Sequence, residues 1–386
     1  MVDLTIASME PTYAGVQDQL ESWFELVAVP AECFVWWHCP YGMGTTMNEV
    51  KSWKYHRNLV IWVVLDTLIE AHEFDPACMP IPPTLAELEL ICQQNPDRKF
   101  ILFSAQRNLQ KIFTVSNLRV VDLPPDLDMN HNILKFSSVR QQDIDKDRPT
   151  LFLNRADRQH RVISLSYFLS QGLDRYCRFT IGSPIGERVQ MFDQIQDYCL
   201  HSVPNPDLWT VLDQGFQQIK SLPNYNTEID QIYQDVGFNA NLQNYQQWLM
   251  PRYSQTCLEI VSHSIFVEPT PHLSEKNFQS ILGRNMPLYL APQGTVAWMR
   301  DHGFDMFDDV INHDYDSITD TVERIMAVFD LNRELLQNPT RIVDVWEASQ
   351  DRLDRNIDHI PVFFANCKDE AERQFRAVLT EWDVGE

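Results

Sequence analysis

Thr150-Leu-Phe-Leu-Asn-Arg-Ala-Asp-Arg-Gln-His-Arg161 runs straight into Val162-Ile-Ser-Leu-Ser-Tyr-Phe-Leu-Ser-Gln-Gly172, and Arg178-Phe-Thr-Ile-Gly182 follows. The apolar run from Thr150 to Asn154 predicts a strand. Val162, Leu165 and Leu169 recur on one face of a 3.6-residue period, so Arg158 to Gln171 predicts a helix, closed by Gly172 as its C-terminal cap. Arg178 to Gly182 predicts the next strand. Strand, helix, strand is how a nucleotide-binding-type α/β domain begins.

Upstream, Cys33-Phe-Val-Trp-Trp37, Leu59 to Leu65, Lys99-Phe-Ile-Leu-Phe103 and Leu118-Arg-Val-Val121 are short and rich in β-branched or aromatic residues. Helical stretches such as Leu85 to Gln94 lie between some of them, which predicts a parallel, doubly wound sheet. The proline-rich stretch from Met79 to Pro83 reads as a loop, and Pro124-Pro125 ends the Leu118 strand. The polar passage Gln141 to Pro149 reads as a linker. Downstream, Met191 to Met250 reads as mostly helical, punctuated by Pro204, Pro206 and Pro223. Strands are predicted at Cys257-Leu-Glu-Ile-Val261 and Pro287-Leu-Tyr-Leu-Ala291, and helices from Thr319 onward. The expected fold is α/β, with two Rossmann-like domains facing a cleft and a helical C-terminal tail. The expected boundaries are 1–148, 149–330 and 331–386, the tail packing across the domains.

With 386 residues the chain can bury two ordinary cores, and 44% hydrophobic against 22% charged residues is a globular balance. The net charge of −23 argues against a broad DNA- or membrane-binding face, while leaving room for a local basic cleft. The longest apolar run, Leu59 to Leu65, is too short for a membrane span, and the N-terminal Met1-Val-Asp-Leu-Thr-Ile lacks a signal core. These readings predict a cytoplasmic protein, in the host cytoplasm if the source is viral. Eight cysteines without metal-ligand spacing read as buried free thiols in a reducing compartment.

Two clusters carry chemistry. Asn154 to Arg161 places Arg155, Arg158 and Arg161 where a strand ends and a helix begins. The helix dipole disfavours cations there by roughly 0.3–1 kcal/mol each, so three together point to a bound anion. A solvated basic face pairing with the surplus carboxylates is the structural alternative. In Pro269-Thr-Pro-His-Leu-Ser-Glu-Lys-Asn-Phe-Gln-Ser-Ile-Leu-Gly283, Ser274 reads as the N-cap, with Glu275 and Lys276 in the first turn and Gly283 at the end. Lys276 there again suggests an anion, and Glu275 could accept from ribose hydroxyls. By spacing alone the segment is also an ordinary capped surface helix. No Walker loop, G-x-S-x-G elbow or H-E-x-x-H motif occurs, and Gly42-Met-Gly44 lacks the third glycine of a dinucleotide fingerprint.

Ser274-Glu275-Lys276 resembles the donor-site motif of bacteriophage and viral glycosyltransferases of the GT-B type. In these a Thr/Ser-Glu-Lys triplet opens a helix, and fucosyltransferase-like enzymes carry a related Glu-Lys motif. The resemblance continues through Thr295-Val-Ala-Trp-Met-Arg-Asp-His-Gly-Phe-Asp-Met-Phe307 and Val310-Ile-Asn-His-Asp-Tyr-Asp316, and it includes Leu151 to Arg161, so it spans roughly residues 150 to 330. Two departures stand out. His263 and Ser264 replace an acidic residue followed by Thr, and Asn312-His-Asp314 replaces Asp-Glu-Ser. His263 then either hydrogen-bonds the donor or is a core histidine. Asp314, Tyr315 and Asp316 are expected to cap the helix that follows them.

The resemblance implies an enzyme that moves a sugar from a nucleotide-sugar co-substrate to an acceptor hydroxyl without a metal or other cofactor. Arg155, Arg158, Arg161 and Lys276 would stabilise the departing diphosphate, with Asn154, His263, Ser274 and Glu275 completing the donor site. His38, Asp66 and His72, near predicted strand ends in the N-terminal half, are the candidate general bases. A hydroxymethylated pyrimidine in phage DNA is one acceptor, although the acidity of the chain weighs against it. A protein, a glycan or a small metabolite are others. No membrane partner is expected. A non-catalytic nucleotide- or nucleotide-sugar-binding protein on the same scaffold is the alternative function.

Overall fold

The computed structural model describes residues 34–38, 59–64, 85–104, 107, 109–122, 144–154, 159–180, 206–221, 250–263 and 271–382, with backbone alone at 34–38, 59–64, 85–87, 159 and 206–208. The fold is mixed α/β, and among the described residues it contains two four-stranded sheets whose neighbouring strands are all parallel. The chain divides into two compact units. Unit 1 comprises Met1–Ile133, Val267–Glu275 and Pro361–Glu386, and unit 2 comprises Leu134–Phe266 and Lys276–Ile360.

In unit 1 the strands β1 (Phe34–His38), β2 (Leu59–Val64), β3 (Lys99–Ser104) and β4 (Leu118–Asp122) lie side by side in chain order. Helix α1 (Leu85–Gln94) connects β2 to β3. Parallel strands covered on both faces need near-continuous apolar sequence, and Leu-Val-Ile-Trp-Val-Val in β2 and Phe-Ile-Leu-Phe in β3 supply it. Leu88, Ile91 and Cys92 of α1 pack with Phe100, Leu102, Leu109, Phe113 and Leu118. The return from α1 into β3 is pinned by Asn117, whose Nδ2 donates to the carbonyls of Cys92, Asn95 and Arg98.

Unit 2 is built on β5 (Thr150–Phe152), β6 (Cys177–Phe179), β7 (Leu258–Ser262) and β8 (Met286–Leu290), in the spatial order β6-β5-β7-β8. Helix α2 (Gln159–Ser170) carries the chain from β5 to β6, ending at Gly172 with φ 65°. Only glycine adopts that left-handed conformation without strain. Phe168 of α2 meets Phe152 of β5 edge-on at 5.3 Å, and Phe329 packs 6.0 Å from Phe168. Helix α3 (Pro206–Ser221) lies so close to α2 that a Cβ at Gly215 would overlap the Ser166 carbonyl. Pro287 sits within β8, which is tolerated because β8 ends the sheet and one edge needs no partner.

The remaining α-helices among the described residues are α4 (Met250–Tyr253), α5 (Lys276–Leu282), α6 (Thr295–Asp301), α7 (Thr321–Leu331), α8 (Arg333–Leu336), α9 (Pro339–Ala348) and α10 (Gln350–Glu381). α10 belongs with unit 2 up to Ile360 and with unit 1 from Pro361, where the missing proline N–H interrupts the helix ladder. Within unit 1 its end is held by Arg119, which donates to both carboxylate oxygens of Glu381, and by Phe375 against Phe103 at 5.3 Å.

The passage expected to be a linker is fastened into unit 2 from Ile144 onward. The Asp145 amide donates to the Gln255 carbonyl at 3.0 Å, its carboxylate pairs with Arg178 at 2.7 Å, and the Cys257 amide donates to the Pro149 carbonyl at 2.7 Å. A polar, charged sequence had no apolar period to reveal this packing, which is made by backbone groups and one ion pair. Cys92, Cys177 and Cys257 are buried, unlinked thiols. Among the described residues no helix is long and apolar enough to cross a membrane.

Candidate ligand site at the carboxyl edge of the second sheet

After β5 the chain reaches β6 on one side. It then returns past β5 to form β7 and β8 on the other. The strand order therefore reverses between β5 and β7, and in open α/β sheets ligands bind outside the carboxyl ends of strands at such a reversal. In unit 1 the described strands run in simple chain order, so no such reversal occurs among them.

Asn154 lies where β5 ends. Phe152 is in register with Ile260, and continuing that register by two residues brings Asn154 alongside Ser262, the last residue of β7. Adjacent strands are roughly 4.8 Å apart, so that register sets the two positions next to each other. The Asn154 amide N–H donates to Thr180 Oγ1 at 2.9 Å, which fixes the backbone against the end of β6. Asn154 and Ser262 are each 3% exposed. Neither the Asn154 Oδ1 and Nδ2 nor the Ser262 Oγ has a hydrogen-bond partner among the described residues. Buried polar groups are almost always paired, and leaving an amide unpaired costs about 1–3 kcal/mol.

His263 follows directly and is fully enclosed, its ring meeting Tyr289 edge-on at 6.2 Å. Its carbonyl accepts from Arg161 Nε at 3.2 Å, Arg161 Nη2 at 3.0 Å and His160 Nε2 at 3.0 Å. Donation to a carbonyl puts a proton on His160 Nε2. These bonds tie the first turn of α2 to the end of β7. Arg161, expected to face an anion, is 5% exposed and directs two of its N–H groups at this backbone oxygen. Arg155, Arg158 and Ser264 lie outside the described residues.

Helix α5 begins at Lys276, one residue later than an N-cap at Ser274 requires, so Glu275 takes the position before the first helical residue. Ser274 is buried, and Glu275 and Lys276 are half-buried. Ser274 and Glu275 belong to unit 1 and Lys276 to unit 2. Beneath α5, Glu259 of β7 is 5% exposed and accepts a hydrogen bond from Tyr253 Oη at 3.1 Å. Burial pushes its carboxyl up to about 8, against the opposing pull of Tyr253, Ser280 and the Lys276 charge. Gly283 leaves room for the Tyr253 ring, which a Cβ would meet at 2.5 Å.

A concavity of about 730 Å³ is lined by Arg300, Asp308, Asn312, His313, Asp314 and Asp316, together with the Gln293-Gly294 turn. Asp316 was expected to cap the helix after it. It caps the one before: Oδ1 accepts from the Val296 amide at 3.2 Å and Oδ2 from the Ala297 amide at 2.9 Å, at the start of α6. Burial raises its pKa against those two bonds. The following helix, α7, is capped by Asp320, whose Oδ1 accepts from the Glu323 amide at 2.7 Å. His313 lies inward, with Nε2 2.8 Å from the Met306 carbonyl and Nδ1 3.0 Å from Tyr315 Oη, and burial lowers its pKa. The wall is acidic, and Arg300 is engaged by Asp308 through Nε at 2.9 Å.

Of the candidate bases, His38 is the last residue of β1, in register with Val64, and its side chain is not described. Asp66 and His72 lie outside the described residues. The structure thus brings Asn154, His160, Arg161, Ser262 and His263 to one sheet edge. Ser262 and His160 were not among the sequence candidates. Ser262 could have been found by asking which polar residue ends each predicted strand.

No family model matches the chain, and no curated protein matches it.

Proposed function

We propose that unit 2 binds a nucleotide sugar at the carboxyl edge of its sheet, and that the protein is a glycosyltransferase of GT-B type. The single observation that carries this reading is the buried, unpartnered amide of Asn154, set beside Ser262 where the strand order reverses. A fold that leaves such an amide unpaired gives up stability that a hydrogen-bonding ligand would restore. The sequence resemblance supplies the class of ligand. Its donor-site segment, through Lys276, joins the same sheet by way of α5, which leads into β8.

Transfer then needs charge stabilisation of the departing diphosphate. Lys276, Arg155 and Arg158 are the cations assigned to it in this reading, and Arg161 braces the His263 carbonyl. Unit 1 would contribute the acceptor side, with His38, Asp66 or His72 as general base. The acceptor is a hydroxyl-bearing molecule, of which a hydroxymethylated DNA pyrimidine is one example.

A thermal-shift screen of UDP-, GDP-, ADP- and CMP-sugars tests the reading. A donor present at about 100 times its Kd adds roughly 2.7 kcal/mol to stability. One of the four should raise the melting temperature, and Lys276→Ala should reduce that rise. If none moves the wild-type protein, the nucleotide-sugar reading fails. Slow release of free sugar from the bound donor without acceptor would mark a transferase, whereas binding with no turnover would mark a sequestering protein.

A further inference from the structure

We infer that the sheet edge where β5 and β7 end takes an uncharged part of the ligand, presenting a hydrogen-bond donor and an acceptor side by side, and not its phosphates. This rests on the placement of the ligand at this sheet edge. Among the groups there, the two polar atoms of the Asn154 amide and the Ser262 hydroxyl lack partners among the described residues. Neither group is charged. An amide offers one acceptor and two donor hydrogens about 2.3 Å apart in one plane, and a hydroxyl can do either task. That set complements a donor–acceptor pair, such as a nucleobase edge or vicinal sugar hydroxyls. A phosphate has acceptors only, so it would leave the Asn154 Oδ1 facing another oxygen.

Arg161, the arginine of this edge among the described residues, does not favour a phosphate either. Arg161 points its Nε and Nη2 at the His263 carbonyl, so its fork closes the wall. Position separates this pair from other unpartnered polar atoms in the same unit. Thr150 Oγ1 is at the amino end of β5, Asn285 Oδ1 precedes β8, and Glu259 Oε2 lies within β7. Asn154 and Ser262 stand at the carboxyl ends flanking the strand-order reversal.

Calorimetric titration of the full chain separates the sources of this chemistry. The probes are four nucleosides (uridine, guanosine, adenosine, cytidine), glucose and galactose, inorganic pyrophosphate, and the UDP-, GDP-, ADP- and CMP-sugars. The expected result is that a nucleoside or a free hexose competes with the bound nucleotide sugar. Asn154→Leu should weaken that partner about tenfold or more and leave pyrophosphate binding unchanged. Asn154→Asp, which keeps the acceptors and loses the donor, should weaken it as well. Ser262→Ala carries the same test should Asn154→Leu not fold. The inference is overturned if pyrophosphate alone competes and loses its affinity in Asn154→Leu. It is equally overturned if a nucleotide sugar binds and neither Asn154→Leu nor Ser262→Ala changes its affinity, in which case the nucleotide-sugar reading still stands. Binding of a free hexose or nucleoside that depends on Asn154, with no nucleotide sugar bound, would support the inference and refute that reading.

Discussion

Replacing Asn154 with leucine should make the unliganded protein more stable, although it removes a polar residue from a structured position. The Asn154 side chain is 3% exposed, and neither of its polar atoms has a partner among the described residues. An amide buried in this way costs about 1–3 kcal/mol relative to one that is paired or solvated. Leucine is close to it in shape and removes that cost. The slightly larger side chain returns up to about 1 kcal/mol in crowding. The net expectation is a gain of about 1–2 kcal/mol, or roughly 2–8 °C in the transition of a unit of this size. Urea denaturation of wild type and variant measures it, with an unchanged slope showing that the unfolded state is unaltered. A loss of about 1 kcal/mol or more in the variant would refute the reasoning. It would mean that the amide is already satisfied in the free protein, for example by a buried water, and is a structural residue. Added donor should narrow or reverse the difference, because only the wild type can use the amide to bind.

Glu259→Gln tests the buried carboxyl. Its folded pKa of about 8 lies above the ordinary glutamate value of 4.5, so the native state holds a proton that the unfolded state has released. Stability should therefore fall as pH rises from about 4.5 through about 8, by as much as roughly 4–5 kcal/mol. Glutamine should flatten that slope, and parallel pH profiles for the two proteins would exclude the idea. Gly215→Ala drives a methyl into the Ser166 carbonyl between α2 and α3, so a destabilisation of about 3 kcal/mol or more is expected in chemical denaturation. Asp316→Ala removes both acceptors at the start of α6 and should cost about 1–2 kcal/mol. Asp316→Asn, which retains one oxygen, should cost about half as much in the same assay.

Local pattern explains most of the elements. Leu85–Gln94 is a helix with the predicted limits, and β2, β3 and β4 fall within one residue of the apolar runs that announced them. Periodicity is a property of neighbours in sequence, so it survives whatever the tertiary arrangement does. Boundaries shift where long-range partners decide them. The strand expected at Arg178–Gly182 is Cys177–Phe179, because its pairing register is set by Thr150 to Phe152 of β5. Asp316 turns back to the preceding helix, where the amides of Val296 and Ala297 donate to it. A chain read in order cannot show that.

By itself, then, the sequence determined an α/β chain, the position of Asn154 at a strand end and the arginine at the start of α2. Hydrophobic period, β-branched runs and turn residues act over a few positions and leave a readable mark. Only the tertiary structure decided that β7 would lie beside β5, bringing Ser262 to Asn154 and the His263 carbonyl to Arg161. Strand order depends on which buried faces fit together after the intervening chain has closed its loops, and no local signal carries that information.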